Sequence, residues 1–160
     1  MKVLFLDFDG VMNSVASFVY NNRQNLMGVT DTPTHRSFCP ISSSNLQYIL
    51  EELPDVQVVV TSSWRKHKTL SALQEIFKTN NILPERMIGD TPISKSGYRG
   101  AEVEMYLKQH PEVTSFVILD DDSDLIPHMD RLVQTDSRNG LTFTDAERVI
   151  EMFGGKNEES

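Results

Sequence analysis

Cysteine is almost absent from this chain: Cys39 is the only one in 160 residues. An internal disulfide is therefore excluded, and the composition suits a reducing compartment such as the cytoplasm. A lone thiol of this kind is by default a small buried or incidental side chain, not a nucleophile. Long apolar runs are absent too, and none approaches the ~20 residues that a membrane-spanning helix needs. No secretory signal opens the chain, because its first residues read as a strand. Basic residues are in deficit, with Lys and Arg at 15 against Asp and Glu at 23, for a net charge of -8. Phosphate contacts drive broad adhesion to nucleic acid, so that charge argues against it while leaving room for a local basic mouth. The four histidines, His35, His67, His110 and His128, show no metal-ligand spacing and read as surface or structural. There is no internal repeat, low-complexity segment or linker. The 39% hydrophobic content supports the core of about one domain, expected over residues 1–153, with a disordered tail at 154–160.

What the chain does have is a set of apolar strands that end in polar chemistry. Lys2-Val-Leu-Phe-Leu leads into Asp7-Phe8-Asp9-Gly10-Val11. The apolar run reads as a buried strand. Alternation along an extended chain sends the Asp7 and Asp9 side chains to the same side. Two like charges so close need a cation or a shared proton. A second strand, Val56-Gln-Val-Val-Val, ends in Thr61-Ser62-Ser63-Trp64-Arg65. A third, Thr114 to Leu119, ends in Asp120-Asp121-Asp122-Ser123-Asp124. Between them lie the bases Lys95 and Arg99. Thr61, Ser62 and Ser63 are candidate donors to a phosphoryl oxygen, Ser62 and Ser63 at the start of a helix. Arg65 either reaches a substrate phosphate or is a solvated surface charge.

The intervening segments alternate with these strands. Helices are predicted over about 44–53, 68–80 and 100–110, from Leu46, Ile49 and Leu50, from Leu70, Leu73, Ile76 and Phe77, and from Val103, Tyr106 and Leu107. Ser43 or Ser44 would cap the first. Short strands are predicted at 86–90 and 131–135, with a closing helix at 145–153 capped by Thr144. Residues 12–42 are polar and irregular, long for a structureless loop, and such loops are usually functional. We expect a mobile flap there, a minimal cap whose Phe18, Tyr20, Asn21, Asn22 and Arg23 meet the substrate. Strands alternating with helices imply a parallel sheet covered on both faces, an α/β architecture of the Rossmann-like, three-layer α/β/α kind.

The ordered set of carboxylate pair, hydroxyl, base and acidic pair resembles the haloacid dehalogenase (HAD) superfamily of phosphotransferases. Ser62-Ser63-Trp64-Arg65, Arg99-Gly100-Ala101-Glu102-Val103 and the late Thr135-Asp136 and Gly140-Leu141-Thr142 are similar to a narrower branch, the small HAD domain of multidomain RNA-repair proteins. The resemblance implies a mainly parallel five-stranded sheet of order 3-2-1-4-5, with the motif-bearing strand ends meeting beside the first strand. It implies phosphomonoester hydrolysis with Asp7 as nucleophile, forming an aspartyl-phosphate, and Asp9 as acid and base. It implies Mg2+ held by Asp7, the Asp9 backbone carbonyl and Asp121, with Asp120 orienting waters or basic partners. Thr61 would bind the phosphoryl, with Arg99 or Lys95 as the base; the position of Arg99 before the helix favours it. Asp122 and Asp124 read as helix-capping acids after the third motif-bearing strand, Asp124 alternatively as a supporting acid. An EF-hand calcium loop lacks its Gly and terminal Glu here.

The substrate implied is a phosphate ester at an RNA or DNA 3′ end, or a nucleotide. Two other classes compete. A phosphoacceptor receiver domain would distribute its acids, hydroxyl and Lys in a different order along the strands. A HAD-like binding domain without turnover would be expected to lack one of the motifs.

Overall fold

Five short strands, β1 (Lys2–Leu6), β2 (Val56–Val60), β3 (Met87–Asp90), β4 (Ser115–Asp120) and β5 (Leu132–Gln134), form one parallel sheet in the order β3-β2-β1-β4-β5. The computed structural model describes residues 1–28 and 38–155. The helices are α1 (Val15–Leu26), α2 (Pro40–Glu52), α3 (Leu70–Thr79), α4 (Arg99–Gln109) and α5 (Phe143–Met152). The α/β class and the strand order are those expected from the sequence. Residues 29–37, part of the expected flap and including His35, and residues 156–160 of the expected tail lie outside the described residues.

The central strand is apolar on both sides, as a parallel strand between two helical layers must be. Alternation divides its residues between two cores. Leu4 and Leu6 join Val58, Val60, Val117 and Leu119 beneath α2, α3 and α5, through Leu46, Leu50, Leu73, Phe77, Val149 and Ile150. Val3 and Phe5 face the other way with Val59 and Ile118, against Val103 and Tyr106 of α4. Phe5 meets Tyr106 edge to face at 5.5 Å, a geometry that suits the ring quadrupoles.

Register fixes the site. Leu6 of β1 is level with Val60 of β2 and with Leu119 of β4. The residues that follow, Asp7, Thr61 and Asp120, therefore leave the sheet side by side. The ladder continues one step past the strands: the Asp7 amide donates to the Leu119 carbonyl at 3.0 Å, and the Thr61 amide to the Leu6 carbonyl at 2.9 Å.

Several boundaries differ from the sequence reading. The α2 helix starts at Pro40, with Cys39 at the N-cap and no side-chain cap; Pro at the first position has no amide to satisfy. The α5 helix is capped by Thr142, not Thr144, through a reciprocal capping box with Asp145. No α-helix follows β4 before β5; a loop and a 3-10 turn at Met129–Arg131 fill the connection. Asp122 and Asp124 therefore cap no helix there.

The largest difference is α1, within a stretch expected to be irregular. Its apolar residues Val15, Phe18, Val19 and Leu26 are exposed, so no inward periodicity betrays it. The helix begins instead with a reciprocal bond pair, Ser17 amide to Ser14 Oγ at 3.0 Å and Ser14 amide to Ser17 Oγ at 3.1 Å. Its first amides, Val15 and Ala16, donate to the carbonyls of Ser137 and Arg138.

Phe77 is fully buried and touches the rings of Phe8 and Phe38. Phe77→Ala is expected to cost about 3–5 kcal/mol of stability. Urea unfolding followed by circular dichroism checks this, and a loss below about 1 kcal/mol would place Phe77 outside the load-sharing core.

Candidate active site

Three carboxylates converge at the exits of β1 and β4. Ligand oxygens of Asp7, Asp120 and Asp121 lie within 4.8 Å of one another. The turn after β1 makes this approach feasible. Gly10 has φ +81°, and a Cβ there would lie 2.3 Å from Asp121 Oδ2. Glycine is thus required twice, for the left-handed backbone and for the space that Asp121 occupies. Thr135 fixes the same turn by donating its hydroxyl to the Gly10 carbonyl at 2.8 Å.

Arg99 supplies the opposing charge. From the first turn of α4, one nitrogen, Nη1, stands 3.2 Å from Asp7 Oδ1, 3.2 Å from Asp120 Oδ2 and 3.2 Å from Thr61 Oγ1. The base, the strand-end hydroxyl and the two acids thus form one contact set, joining all four motifs expected from the sequence. Lys95 is exposed in a turn and makes no hydrogen bond or ion pair among the described residues. Between the two bases, the structure places Arg99 at the carboxylates.

Asp120 uses both oxygens. Oδ2 receives Arg99, and Oδ1 accepts the Asp122 amide at 3.0 Å. Asp121 is half-buried and makes no such side-chain bonds among the described residues, so its carboxylate is the freer of the two. Asp124 holds the start of α4 instead of a helix of its own. Its Oδ2 accepts the Arg99 amide at 3.3 Å and its carbonyl accepts the Gly100 amide at 2.9 Å. Gly100 is needed for this docking, since a Cβ there would meet the Ile126 carbonyl oxygen at 2.2 Å.

Asp9 stands apart from the three clustered acids. It is exposed, and its Oδ2 accepts a hydrogen bond from Trp64 Nε1 at 3.0 Å.

A family described as the HAD domain in Swiss Army Knife RNA repair proteins matches residues 3–146. The chain belongs to that HAD family. Two solved structures of the HAD domain of the effector protein Lem4 from Legionella pneumophila, one an inactive mutant, share its fold at TM-score 0.55. They are 18% and 17% identical, cover 98% of this chain, and are covered over 95% and 94% of their own lengths. No curated protein matches the chain.

The electrostatics of this HAD site suit a divalent cation. Burial raises the Asp7 carboxyl above its ordinary range against the pull of Arg99, and the charge of Asp121 adds to the rise. Burial and the Asp7 charge push Asp120 up to about 8, with Arg99 opposing. Arg99 itself is raised: burial alone would lower it, but Asp7 and Asp120 together outweigh that. One guanidinium therefore undercompensates three acids. An all-oxygen set of carboxylates is what Mg2+ takes, in small number and with waters retained. Asp7 and Asp121 would hold it, with Asp120 oriented alongside by its two bonds.

The structure corrects one substrate-binding expectation for the segment that follows β2. Arg65 neither reaches the mouth nor lies on the surface. Its guanidinium is buried and donates to the carbonyls of Thr61, Ser62, Thr91 and Pro92. It also pairs with Glu102 Oε2 at 2.6 Å, both side chains being nearly sealed from solvent. Glu102 Oε1 accepts the Ser94 amide at 3.0 Å. The pair ties the Thr61 turn to α4 and hence to Arg99. Ser62 is buried and its hydroxyl accepts the Trp64 amide, capping the short 3-10 turn Ser63–His67. Ser63 is exposed beside it.

Sequence reasoning missed three participants: Glu102, Thr135 and the indole of Trp64. All three sit inside the very motifs that suggest the family, so their presence is visible in the sequence and their partners are not.

The raised acids set a pH dependence. A carboxyl raised in the folded state binds more protons there than in the unfolded chain, between about pH 4 and the folded value of about 8 for Asp120. Stability from this site therefore falls as pH rises through that window. Asp55 and Asp136, held low by Lys2 and Arg138, titrate below it. In chelator, the melting temperature is expected to drop between pH 5 and pH 8, with a smaller drop for Asp120→Asn and recovery on adding Mg2+. Equal slopes for wild type and Asp120→Asn would refute the strained-acid description.

Proposed function

We propose that this HAD domain is a Mg2+-dependent phosphomonoester hydrolase that works through an aspartyl-phosphate. The observation that carries this reading is the division of labour among the acids. Asp7 is buried beside Arg99, Asp120 and Asp121, while Asp9 is exposed and held separately by Trp64. A nucleophile needs compensating positive charge beside it, and a proton carrier needs access to the leaving group.

Asp7 attacks phosphorus, forming a P–O bond as the ester P–O bond breaks. Asp9 delivers its proton to the departing oxygen. Asp9 then takes a proton from water, which attacks the same phosphorus and releases inorganic phosphate as the bond to Asp7 breaks. Arg99 lies where charge develops on the phosphoryl oxygens, and Thr61 stands beside it. Mg2+, when bound, supplies further positive charge for the anionic phosphate and for Asp7.

The substrate class we propose is supported by the family and by the surface. The family's description is of RNA repair, which supports a nucleic-acid 3′-phosphate end, with a nucleotide as the smaller alternative. The α1 helix (Val15–Leu26) falls in the segment expected to be a minimal cap and exposes Phe18 and Tyr20, aromatic faces on which a base could stack.

Wild type is expected to hydrolyse an aryl phosphate in Mg2+ and to lose that activity in excess EDTA. Asp7→Asn should fall by about 10³-fold or more with its circular dichroism unchanged, because an amide is a poor nucleophile. A variant within about tenfold of wild type would remove Asp7 as nucleophile. A 3′-phosphorylated oligonucleotide turned over no better than a mononucleotide would remove the polymer end as substrate.

A further inference from the structure

Asp9 is exposed at the start of a tight turn, where a short carboxyl side chain keeps much of its rotamer freedom unless something holds it. Trp64 holds it. The indole Nε1 donates to Asp9 Oδ2 at 3.0 Å. The indole is itself fixed. Its ring stands edge to face on Phe8 at 5.3 Å and 88° and lies against Phe38 at 6.2 Å. Its backbone amide donates to Ser62 Oγ at 3.2 Å. Phe8, fully buried, lies between Asp7 and Asp9 in the chain. The nucleophile, the acid and the indole are therefore referenced to one aromatic anchor.

We infer that Trp64 is a positioning residue for Asp9, holding the carboxyl by Oδ2 so that Oδ1 is the oxygen presented to the leaving group. The inference rests on the hydrolase reading of Asp9 given above. Its chemical basis is that an indole N–H donates and cannot accept. A protonated Asp9 must therefore present its bare oxygen, Oδ2, to Trp64 and carry the hydrogen on Oδ1. The same bond would hold the carboxylate once that proton has left, so the geometry serves both halves of the reaction. The plainer role for Trp64, filling space beside Phe8 and Phe38, accounts for the ring faces but not for the polar edge meeting Asp9.

The test separates orientation of an acid from general structural support. Esters with a poor leaving group depend on proton delivery, and those with an acidic phenol hardly do. We compare kcat/KM, which reports the steps through transfer to Asp7, for an alkyl phosphate and a nitrophenyl phosphate. Trp64→Phe keeps a ring and removes the donor. It should lower kcat/KM for the alkyl ester by about tenfold or more and leave the nitrophenyl ester within about threefold. An equal loss on both esters, or no loss on the alkyl ester, overturns the inference. If Trp64→Phe is unfolded by circular dichroism, replacing Trp64 with benzothienylalanine exchanges only the N–H for sulfur and carries the same two outcomes. A wild type inert on both esters refutes the hydrolase reading and this inference with it; an active wild type without the split refutes this inference alone.

Discussion

Everything at this site follows from crowding three carboxylates around one guanidinium. Asp7, Asp120 and Asp121 lie within 4.8 Å of one another, and Arg99 reaches Asp7 and Asp120 from a single nitrogen. Burial makes the arrangement costly, which is why Asp7 and Asp120 both hold their protons above the ordinary carboxylate range. Such an arrangement persists only where the surrounding structure fixes it and a retained proton or a further cation relieves it. The chemistry of a phosphoryl acceptor has the same requirement. Strong negative charge must be held next to a site that attracts a dianion, with positive charge supplied alongside.

The scaffold meets this demand through strand register and one buried ion pair. Level strand ends put Asp7, Thr61 and Asp120 in a row. The base must then be brought across from α4, and its position has to be as definite as the row it meets. Asp124 takes the first amides of α4, Gly100 lets that helix lie directly on the 124–126 chain, and Arg65–Glu102 ties it to the Thr61 turn. A buried pair of this kind adds little to net stability, because desolvation offsets the Coulomb attraction. Its contribution here is geometric: Arg65 satisfies four carbonyls of the turn and its neighbour segment as well as Glu102.

The parts of this picture legible in the sequence were those written in local pattern. The apolar runs ending in Asp7, Thr61 and Asp120 announced strands with chemistry at their exits, and alternation with helices announced the parallel sheet. The place of Arg99 just before an apolar periodic stretch favours it over Lys95, and it is the base at the carboxylates. What could not be read were facts set by tertiary partners. Arg65 reads as a phosphate contact or a surface charge until Glu102, 37 residues later, is found beside it. Asp124 reads either as the cap of its own segment or as a supporting acid, and the helix it caps lies earlier in the chain. The α1 helix escaped notice because its apolar residues face outward, so periodicity, which reports burial, had nothing to report.

The central claim is that the acid cluster holds protons until a divalent cation displaces them. Isothermal titration of Mg2+ into metal-free protein at pH 7, in two buffers of different ionisation enthalpy, measures that exchange directly. The account predicts binding accompanied by release of a substantial fraction of one proton, because a cation beside the Asp120 carboxyl, near 8 without it, favours its ionised form. Binding with identical heats in both buffers, and therefore no proton released, would contradict it.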